Sequence, residues 1–132
     1  MSTDPIERVR EGFEALASGG VEALSSYLDP EIELIVSSET SLEPGTYRGL
    51  DGVRRYFGSW DNAMGAVEYV PEEIDARGDR VLVELVFGAT GSGSGIQVSQ
   101  RGWVLVTLAD NLVKRIEEFP DRDSAAKALD AG

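Results

Sequence analysis

Apolar residues that recur every three or four positions predict two helices at the start of the chain. The first begins after Asp4, a candidate N-cap followed by Pro5 at the first helical position, and it stops at Gly19-Gly20. A shorter second helix ends before Pro30, because proline disfavours helical geometry in the residue that precedes it. The apolar residues are Ile6, Val9, Phe13 and Leu16 in the first helix, and Val21, Leu24 and Leu28 in the second.

Strict alternation of apolar and polar residues over EIELIV, residues 31–36, predicts the first strand. Its buried face is expected to carry Ile32, Leu34 and Val36. The next ten residues, SSETSLEPGT, are expected to form a loop. A third helix is predicted over YRGLDGVRRYFGSW, residues 47–60, because helical spacing there produces an aromatic stripe. The residues of this stripe are Val53, Tyr56 or Phe57, Trp60 and Met64.

Two further stretches alternate in the manner of β-hairpins. Residues 66–90 are expected to turn at Gly78-Asp79, and residues 96–119 at Asp110-Asn111. The intervening GSGSG is expected to be a loop. A terminal helix is predicted after Asp121, which is a candidate cap. Its apolar face consists of Ala125, Ala128 and Leu129.

The order of these elements favours the α+β class over a layered α/β arrangement. We expect a curved antiparallel sheet wrapped around three N-terminal helices, with a short C-terminal helix. Such a sheet leaves a concave interior that can hold a small molecule. At 132 residues the chain has the size of one domain, which we assign to residues 1–132.

Charge narrows the range of partners. The chain has 12 basic and 24 acidic residues, which gives a net charge of −12. Because phosphate backbones and anionic lipids are repelled by such a surface, no nucleic-acid or membrane partner is expected. The first residues show neither the basic nor the apolar region of a signal peptide, so a cytoplasmic location is expected.

Histidine and cysteine are both absent. Their absence excludes Ser-His-Asp and Cys-His catalysis, disulfides and thiolate zinc sites. GSGSG lacks the lysine and following helix of a phosphate-binding loop, and GLDG lacks the spacing of a dinucleotide fingerprint. We therefore expect no metal and no cofactor.

Three stretches carry a family resemblance: LDPEIEL, YRGLDGVRRYFGSW and VKRIEEFPDRDSAAKALDAG. Together they resemble the nuclear transport factor 2-like superfamily, in particular its SnoaL-like branch. The resemblance extends from Asp4 to Gly132. It implies a cone, formed by a bent antiparallel sheet around three helices, with an apolar pocket at the wide end.

This superfamily includes ketosteroid isomerases, polyketide cyclases, epoxide hydrolases and proteins without catalysis, so the fold alone does not identify a function. The general base of the isomerases falls on Val36, and their two oxyanion donors fall near Gly12 and Gly102. The resemblance therefore implies binding of a small apolar ligand without the isomerase chemistry. The alternative is an isomerase, cyclase or hydrolase that acts on a polyketide- or terpenoid-like substrate with a carboxylate base.

The implied pocket has seven expected lining residues. The aromatic residues of the third helix form either a ligand cage or plain core, since helical spacing alone predicts burial. The tyrosines are expected at the pocket mouth, because a buried hydroxyl needs a partner. The seven residues are Phe13, Tyr27, Val36, Tyr47, Phe57, Trp60 and Phe119.

Glu117 and Glu84 are the candidate catalytic carboxylates. In apolar surroundings the pKa of a carboxyl rises into the range of a general acid or base. The alternative is that Glu117 is an exposed strand charge paired with Arg115 or Lys114, and that Glu84 belongs to the outer face of the sheet.

One face of the strand around SQRGWVL is expected to form a homodimer interface, because aromatic residues exposed on a flat sheet mark contacts. The interface residues are Trp103, Leu105 and Arg101. Two alternatives are that Arg101 binds an anionic ligand, and that the sheet face binds another protein while the pocket is vestigial.

Overall fold

The structure is a computed structural model that describes residues 4–36, 45–64, 67–90 and 97–131. These residues form three α-helices and six strands, with a 3-10 helix at Ser25–Tyr27 after the first helix. The bounds are α1 Pro5–Leu24, β1 Leu28–Val36, β2 Gly45–Arg48, α2 Gly49–Met64, β3 Val67–Arg77, β4 Arg80–Thr90, β5 Gln97–Ala109, β6 Leu112–Phe119 and α3 Arg122–Ala131.

The two predicted N-terminal helices are one kinked element. Asp4 caps it as predicted, since its Oδ1 accepts the backbone N–H of Ile6 at 3.0 Å. The kink lies at Gly20, whose φ of 72° and ψ of −164° interrupt the helical geometry. Leu28 was expected in the second helix, but it is the first residue of β1. Its side chain is buried, as predicted. The glycine signal was therefore interpreted correctly as a break, while the second helical segment ends earlier than its apolar spacing indicated.

The strand β2 was not predicted. It pairs antiparallel with β1, where Leu34 lies opposite Tyr47 and Val36 opposite Gly45. A strand of four residues is too short for alternation to distinguish it from a turn. Most of the expected loop, residues 37–44, lies outside the described residues.

The sheet is curved and open, with strand order β2-β1-β6-β5-β4-β3. Both predicted hairpins are present, β3–β4 and β5–β6. Asp110 and Asn111 both have positive φ, as a tight hairpin turn requires. The expectation of a fully antiparallel sheet is wrong for one pair, because β1 runs parallel to β6. These strands are far apart in the chain, so no hairpin fixes their relative direction.

The sheet buries apolar residues on both faces. On the inner face α1 and α2 cover the main core, which includes Ile32, Val53 and Val83. On the outer face α3 covers a smaller cluster that contains Leu82, Leu105, Ala125 and Leu129. Because successive strand residues point to opposite faces, Leu82 and Val83 belong to different clusters. The predicted apolar face of the terminal helix is confirmed.

The predicted cap of α3 is also present. The Oδ1 atom of Asp121 accepts the backbone N–H of Ser124 at 2.8 Å. This hydrogen bond lowers the pKa of the Asp121 carboxyl below its ordinary value. The negative charge at the start of α3 also complements the helix dipole.

None of the helices in the described ranges has the length and apolarity needed to cross a membrane. The expected cytoplasmic location stays a prediction.

Candidate functional site

An apolar cavity of about 120 Å³ lies between the helices and the inner face of the sheet. Helices α1 and α2 and strands β1 and β3 to β6 all contribute to its wall. The hydrophobic and glycine residues that line it are Val9, Gly12, Phe13, Leu16, Leu24, Leu28, Leu34, Phe57, Leu85, Phe87, Gly102, Trp103, Val104, Val106, Val113, Ile116 and Phe119. The remaining lining residues carry polar groups and are Arg8, Tyr27, Tyr56, Tyr69 and Glu118.

Four of the seven residues expected in the pocket line this cavity. They are Phe13, Tyr27, Phe57 and Phe119. Val36 and Tyr47 are buried core residues beside α2 and are not part of the wall. Trp60 lies in α2, but its side chain lies outside the described part of the chain.

The aromatic stripe of α2 is part of a longer row of rings. Tyr47 meets Tyr56 edge-to-face at 5.3 Å between ring centroids, and Tyr56 meets Phe57 at 5.7 Å. Phe57 then meets Tyr69 at 5.5 Å, and Tyr69 lies 6.3 Å from Phe87. The stripe is thus both core and cavity wall, since four of these five rings line the cavity.

A carboxylate and a phenol meet at the cavity wall. The hydroxyl of Tyr56 on α2 donates a hydrogen bond to Oε2 of Glu118 on β6, with 2.5 Å between the oxygens. Tyr56 is buried and Glu118 is partly buried. The sequence pattern indicated Tyr56 only as an aromatic ring and gave no role to Glu118. The signal for Glu118 was its parity with Ile116, which places both on the inner face of β6.

The two predicted carboxylates lie elsewhere. Glu117 pairs with Arg115 at 3.3 Å, as the alternative interpretation expected, and Glu84 lies 3.3 Å from a nitrogen of Arg101. Neither lines the cavity. The reason is again alternation, because Glu117 and Glu118 are neighbours and point to opposite faces of the sheet.

Arg101 is held on the outer face by acidic side chains. Its guanidinium contacts Glu72 at 2.5 Å as well as Glu84. The hydrogen bond with Glu72, followed by the attraction of its charge, raises the pKa of Arg101 above the ordinary value. Arg101 is not a lining residue of the cavity, and an anionic ligand at this position would compete with two carboxylates.

Gly12 and Gly102, near which the resemblance places the isomerase oxyanion donors, line the cavity without side chains. A Cβ atom at Gly12 would meet Leu24 Cδ1 at 3.5 Å, and one at Gly102 would meet Phe87 Cε1 at 3.0 Å. The space next to these two glycines is thus bounded by the hydrophobic side chains of Leu24 and Phe87, and not by oxyanion donors. The third position, Val36, is buried core.

Arg8 is the second charged group at the cavity wall. Its Nε donates to the backbone oxygen of Asn111 at 2.8 Å, and its Nη1 contacts Glu11 at 3.3 Å. The guanidinium carbon also lies 4.4 Å from the centroid of the Tyr27 ring. Arg8 was missed because a charged residue between helical apolar positions normally indicates a solvated face.

The three expected interface residues have different surroundings. Leu105 is only 2% exposed because α3 covers it. Trp103 packs against the same cluster, and its Nε1 is buried with no hydrogen-bond partner among the described residues. Arg101 has 46% of its side chain exposed. Within the described ranges no three acidic side chains are placed to hold a metal ion.

We predict that Tyr56→Phe lowers the free energy of unfolding by about 1.5–3 kcal/mol, the range for a hydrogen bond to a charged group. Tyr27→Phe is the control, because the contact of Tyr27 with Arg8 is made by the ring, which phenylalanine keeps, and we expect it to change stability by less than about 0.5 kcal/mol. Urea denaturation measures both. Equal effects of the two variants would contradict a stabilising role for the Tyr56–Glu118 hydrogen bond.

Comparison with known proteins gives relatives and structural neighbours. The uncharacterised protein Rv0034 of Mycobacterium tuberculosis is 29% identical over 115 residues, 86% of each chain. The crystal structure of TerC with polyporic acid superposes with a TM-score of 0.77 at 21% identity, over 97% of this chain and 98% of that one. A protein of unknown function from Burkholderia pseudomallei, described as nuclear transport factor 2-like, superposes with a TM-score of 0.78 at 18% identity, over 98% of both chains.

These likenesses confirm the expected nuclear transport factor 2-like fold. The model of the SnoaL-like domain matches residues 9–116, which is most of the chain. One domain over the whole of residues 1–132 stays a prediction. Of the helices and strands that build the cavity, the matched range leaves out only the first residues of α1 and the last residues of β6. The chain therefore belongs to the SnoaL-like family.

Proposed function

We propose that the protein binds a small apolar molecule in the cavity beneath α1 and α2. The observation that carries this proposal is the composition of the wall, which is hydrophobic except for a few polar groups. Binding there would remove apolar ligand surface from water, the main favourable contribution for such sites. The TerC structure, which contains polyporic acid in the same fold, supports the proposal.

The volume of the cavity limits the ligand. An engineered apolar cavity of about 150 Å³ in another protein accepts benzene, so a cavity of about 120 Å³ corresponds to a ligand with one ring. A larger molecule would need side chains at the wall to move, or would place only one ring inside. Toluene is therefore a suitable neutral probe.

We predict that toluene binds to the wild-type protein at one saturable site, measured by isothermal titration calorimetry. Gly12→Leu should abolish this binding, because the new side chain would occupy part of the cavity. Gly58→Leu is the matched control, since a Cβ atom at Gly58 meets no atom within 4 Å. Circular dichroism checks that both variants fold. Unchanged toluene binding by Gly12→Leu, or none by the wild type, would refute the proposal.

Acid–base catalysis is a second candidate function, favoured by the Tyr56–Glu118 pair at the cavity wall. A carboxylate in hydrogen-bond contact with a phenol and surrounded by apolar side chains fits the role of a general base. The enzyme alternative, an isomerase, cyclase or hydrolase, would then depend on Glu118, since Glu84 and Glu117 lie outside the cavity wall.

For this second function we predict that the wild type accelerates exchange of the α-hydrogens of cyclohexanone in deuterium oxide, followed by NMR. Glu118→Gln should reduce the rate by about 100-fold or more, as expected for loss of a general base. Glu84→Gln and Glu117→Gln should keep the exchange rate of the wild type. If the wild type exchanges these hydrogens no faster than buffer does, this candidate function is wrong. If Glu117→Gln lowers the exchange rate, the general base is Glu117, as the sequence first indicated.

The proposal includes a homodimer formed through the outer sheet face. Because α3 already covers Leu105, the contact would centre on Arg101 and the exposed strand β3, where Val70 is 51% exposed. Trp103 would contribute only at the edge of α3. A partner at this place would bury surface that the described chain leaves in solvent.

Light scattering is expected to give twice the 14.2 kDa chain mass. Arg101→Glu should give a monomer, because it would gather three acidic groups on this face. Arg77→Glu, an exposed residue at the end of β3, serves as the control. A monomeric wild type, or a dimeric Arg101→Glu variant, would argue against this interface.

A further inference from the structure

We infer that the first segment of α1, residues 5–19, is a lid over the cavity that opens about Gly20 and is held closed by Arg8. Opening of the lid lets a small molecule enter and leave. The inference rests on the proposed function and adds the route by which the cavity is reached. It is carried by the backbone at Gly20, the contacts of Arg8 and the burial of the cavity wall.

The wall of the cavity is covered. Each of its described lining residues is buried or half-buried. Entry of a ring compound therefore requires part of the wall to move, as the lids of other enclosed sites do. The strands of the wall are hydrogen-bonded into one sheet, whereas the backbone hydrogen bonds of a helix lie within the helix itself. A helical segment is thus the part of the wall that can move as a unit.

The backbone of α1 has a point about which its first segment can turn. Gly20 has a φ of 72° and a ψ of −164°, a combination that is essentially restricted to glycine. Residues 17–20 are all exposed, and a Cβ atom at Gly20 would meet no atom within 4 Å. Because nothing packs against Gly20, rotation of its backbone meets little resistance.

The chain after Gly20 is anchored. Glu22 accepts a hydrogen bond from Nε of Arg54 on α2 at 2.7 Å, and the side chains of Leu24 and Leu28 are buried. The residues before Gly20 are therefore the ones that move.

The two segments of α1 meet at the cavity wall. In a straight helix Gly12 and Leu24 would be about 18 Å apart along the axis, whereas a Cβ atom at Gly12 would lie 3.5 Å from Leu24 Cδ1. The chain thus folds back at Gly20, and a change of angle there would separate the two segments and open the wall between them. The lining residues before Gly20 are Arg8, Val9, Gly12, Phe13 and Leu16, and those after it are Leu24, Tyr27 and Leu28.

Arg8 joins the far end of the lid to the rest of the chain, about 18 Å of helix from Gly20. Its Nε donates to the backbone oxygen of Asn111, in the turn between β5 and β6, at 2.8 Å. Its guanidinium carbon lies 4.4 Å from the centroid of the Tyr27 ring. Among the described residues, the remaining side-chain hydrogen bonds of the lid involve its own residues and its cap.

The contacts of Arg8 are shielded from water, which strengthens them. Its side chain is 19% exposed, and a hydrogen bond in such surroundings is stronger than one in bulk water. The apolar contribution of the lid is modest, because Val9 and Gly12 are buried while Phe13 and Leu16 are only half-buried. Loss of the Arg8 contacts should therefore favour the open lid.

The test measures the rates at which toluene enters and leaves the cavity, by NMR line-shape analysis. Arg8→Gln should raise both rates by about 10-fold or more, as for loss of a hydrogen bond from a charged group. The dissociation constant should change by less than about twofold, because free and ligand-bound protein lose the same contacts. Arg10→Gln is the matched control, since it makes the same change of charge on the exposed face of the same helix, and it should keep both rates.

Gly20→Ala tests the hinge by a second route. A side chain at this φ strains the closed lid, and opening would relieve the strain, so both rates should rise by at least about threefold. Leu129→Ala controls for a general loss of stability, because it removes buried contacts on the outer face. This variant should keep the rates of the wild type. Circular dichroism checks that each variant folds.

Wild-type rates in Arg8→Gln or in a folded Gly20→Ala would overturn the inference. So would a weaker affinity of Arg8→Gln with an unchanged rate of entry, which is the mark of a direct contact with the ligand. In these cases toluene still binds, and the proposed function stands.

If toluene does not bind, the proposed function fails, and amide hydrogen exchange decides about the lid. The inference then holds if the backbone amides of residues 9–16 exchange together and at least about 10-fold faster than those of Val81 and Val83 in β4. Exchange of both groups at the same rate would overturn it.

Discussion

The structure depends on the burial of apolar residues on the two faces of one sheet. On the inner face α1 and α2 cover Ile32, Val83 and their neighbours, and on the outer face α3 covers Leu82 and Leu105. Helices that rest on a curved sheet do not fill its concave side completely. The cavity is therefore a consequence of the packing that stabilises the fold, and its wall is apolar because it consists of core residues.

The apolar wall of the cavity carries a few polar groups. The hydrogen-bond partners of these groups determine whether they are stable beside hydrophobic side chains. Tyr56 and Glu118 satisfy each other in part, which makes a partly buried carboxylate acceptable next to hydrophobic side chains. Arg8 is satisfied by a carboxylate, a backbone oxygen and the face of a tyrosine. Such groups add specificity to a site whose affinity comes from apolar surface.

The family fold is retained here, and the resemblance places the functional positions of the isomerases on Val36 and near Gly12 and Gly102. The pair of polar groups at the cavity wall comes instead from α2 and the last strand. The carboxylate at the cavity wall thus comes from β6, and not from the strand on which the resemblance places the isomerase base. Membership of the SnoaL-like family consequently defines the shape of the site, and the chemistry has to be deduced from the side chains that line it.

Most of the fold was predictable from the sequence. Helical spacing with a cap at Asp4 and another at Asp121 located α1 and α3, and alternation with turn residues located the two hairpins. These signals are local, because a cap or a tight turn is determined by residues within a few positions of one another. The composition likewise established that histidine and cysteine chemistry is absent.

The tertiary structure decided which strands are neighbours and which side chains meet. The parallel pairing of β1 with β6, and the short strand β2, depend on segments far apart in the chain. The contact between Tyr56 and Glu118 joins residues 62 positions apart. Alternation states only that Glu117 and Glu118 face opposite sides, and it does not state which side is covered by helices. That choice comes from the packing of the whole chain, because a face becomes an interior only when other elements cover it.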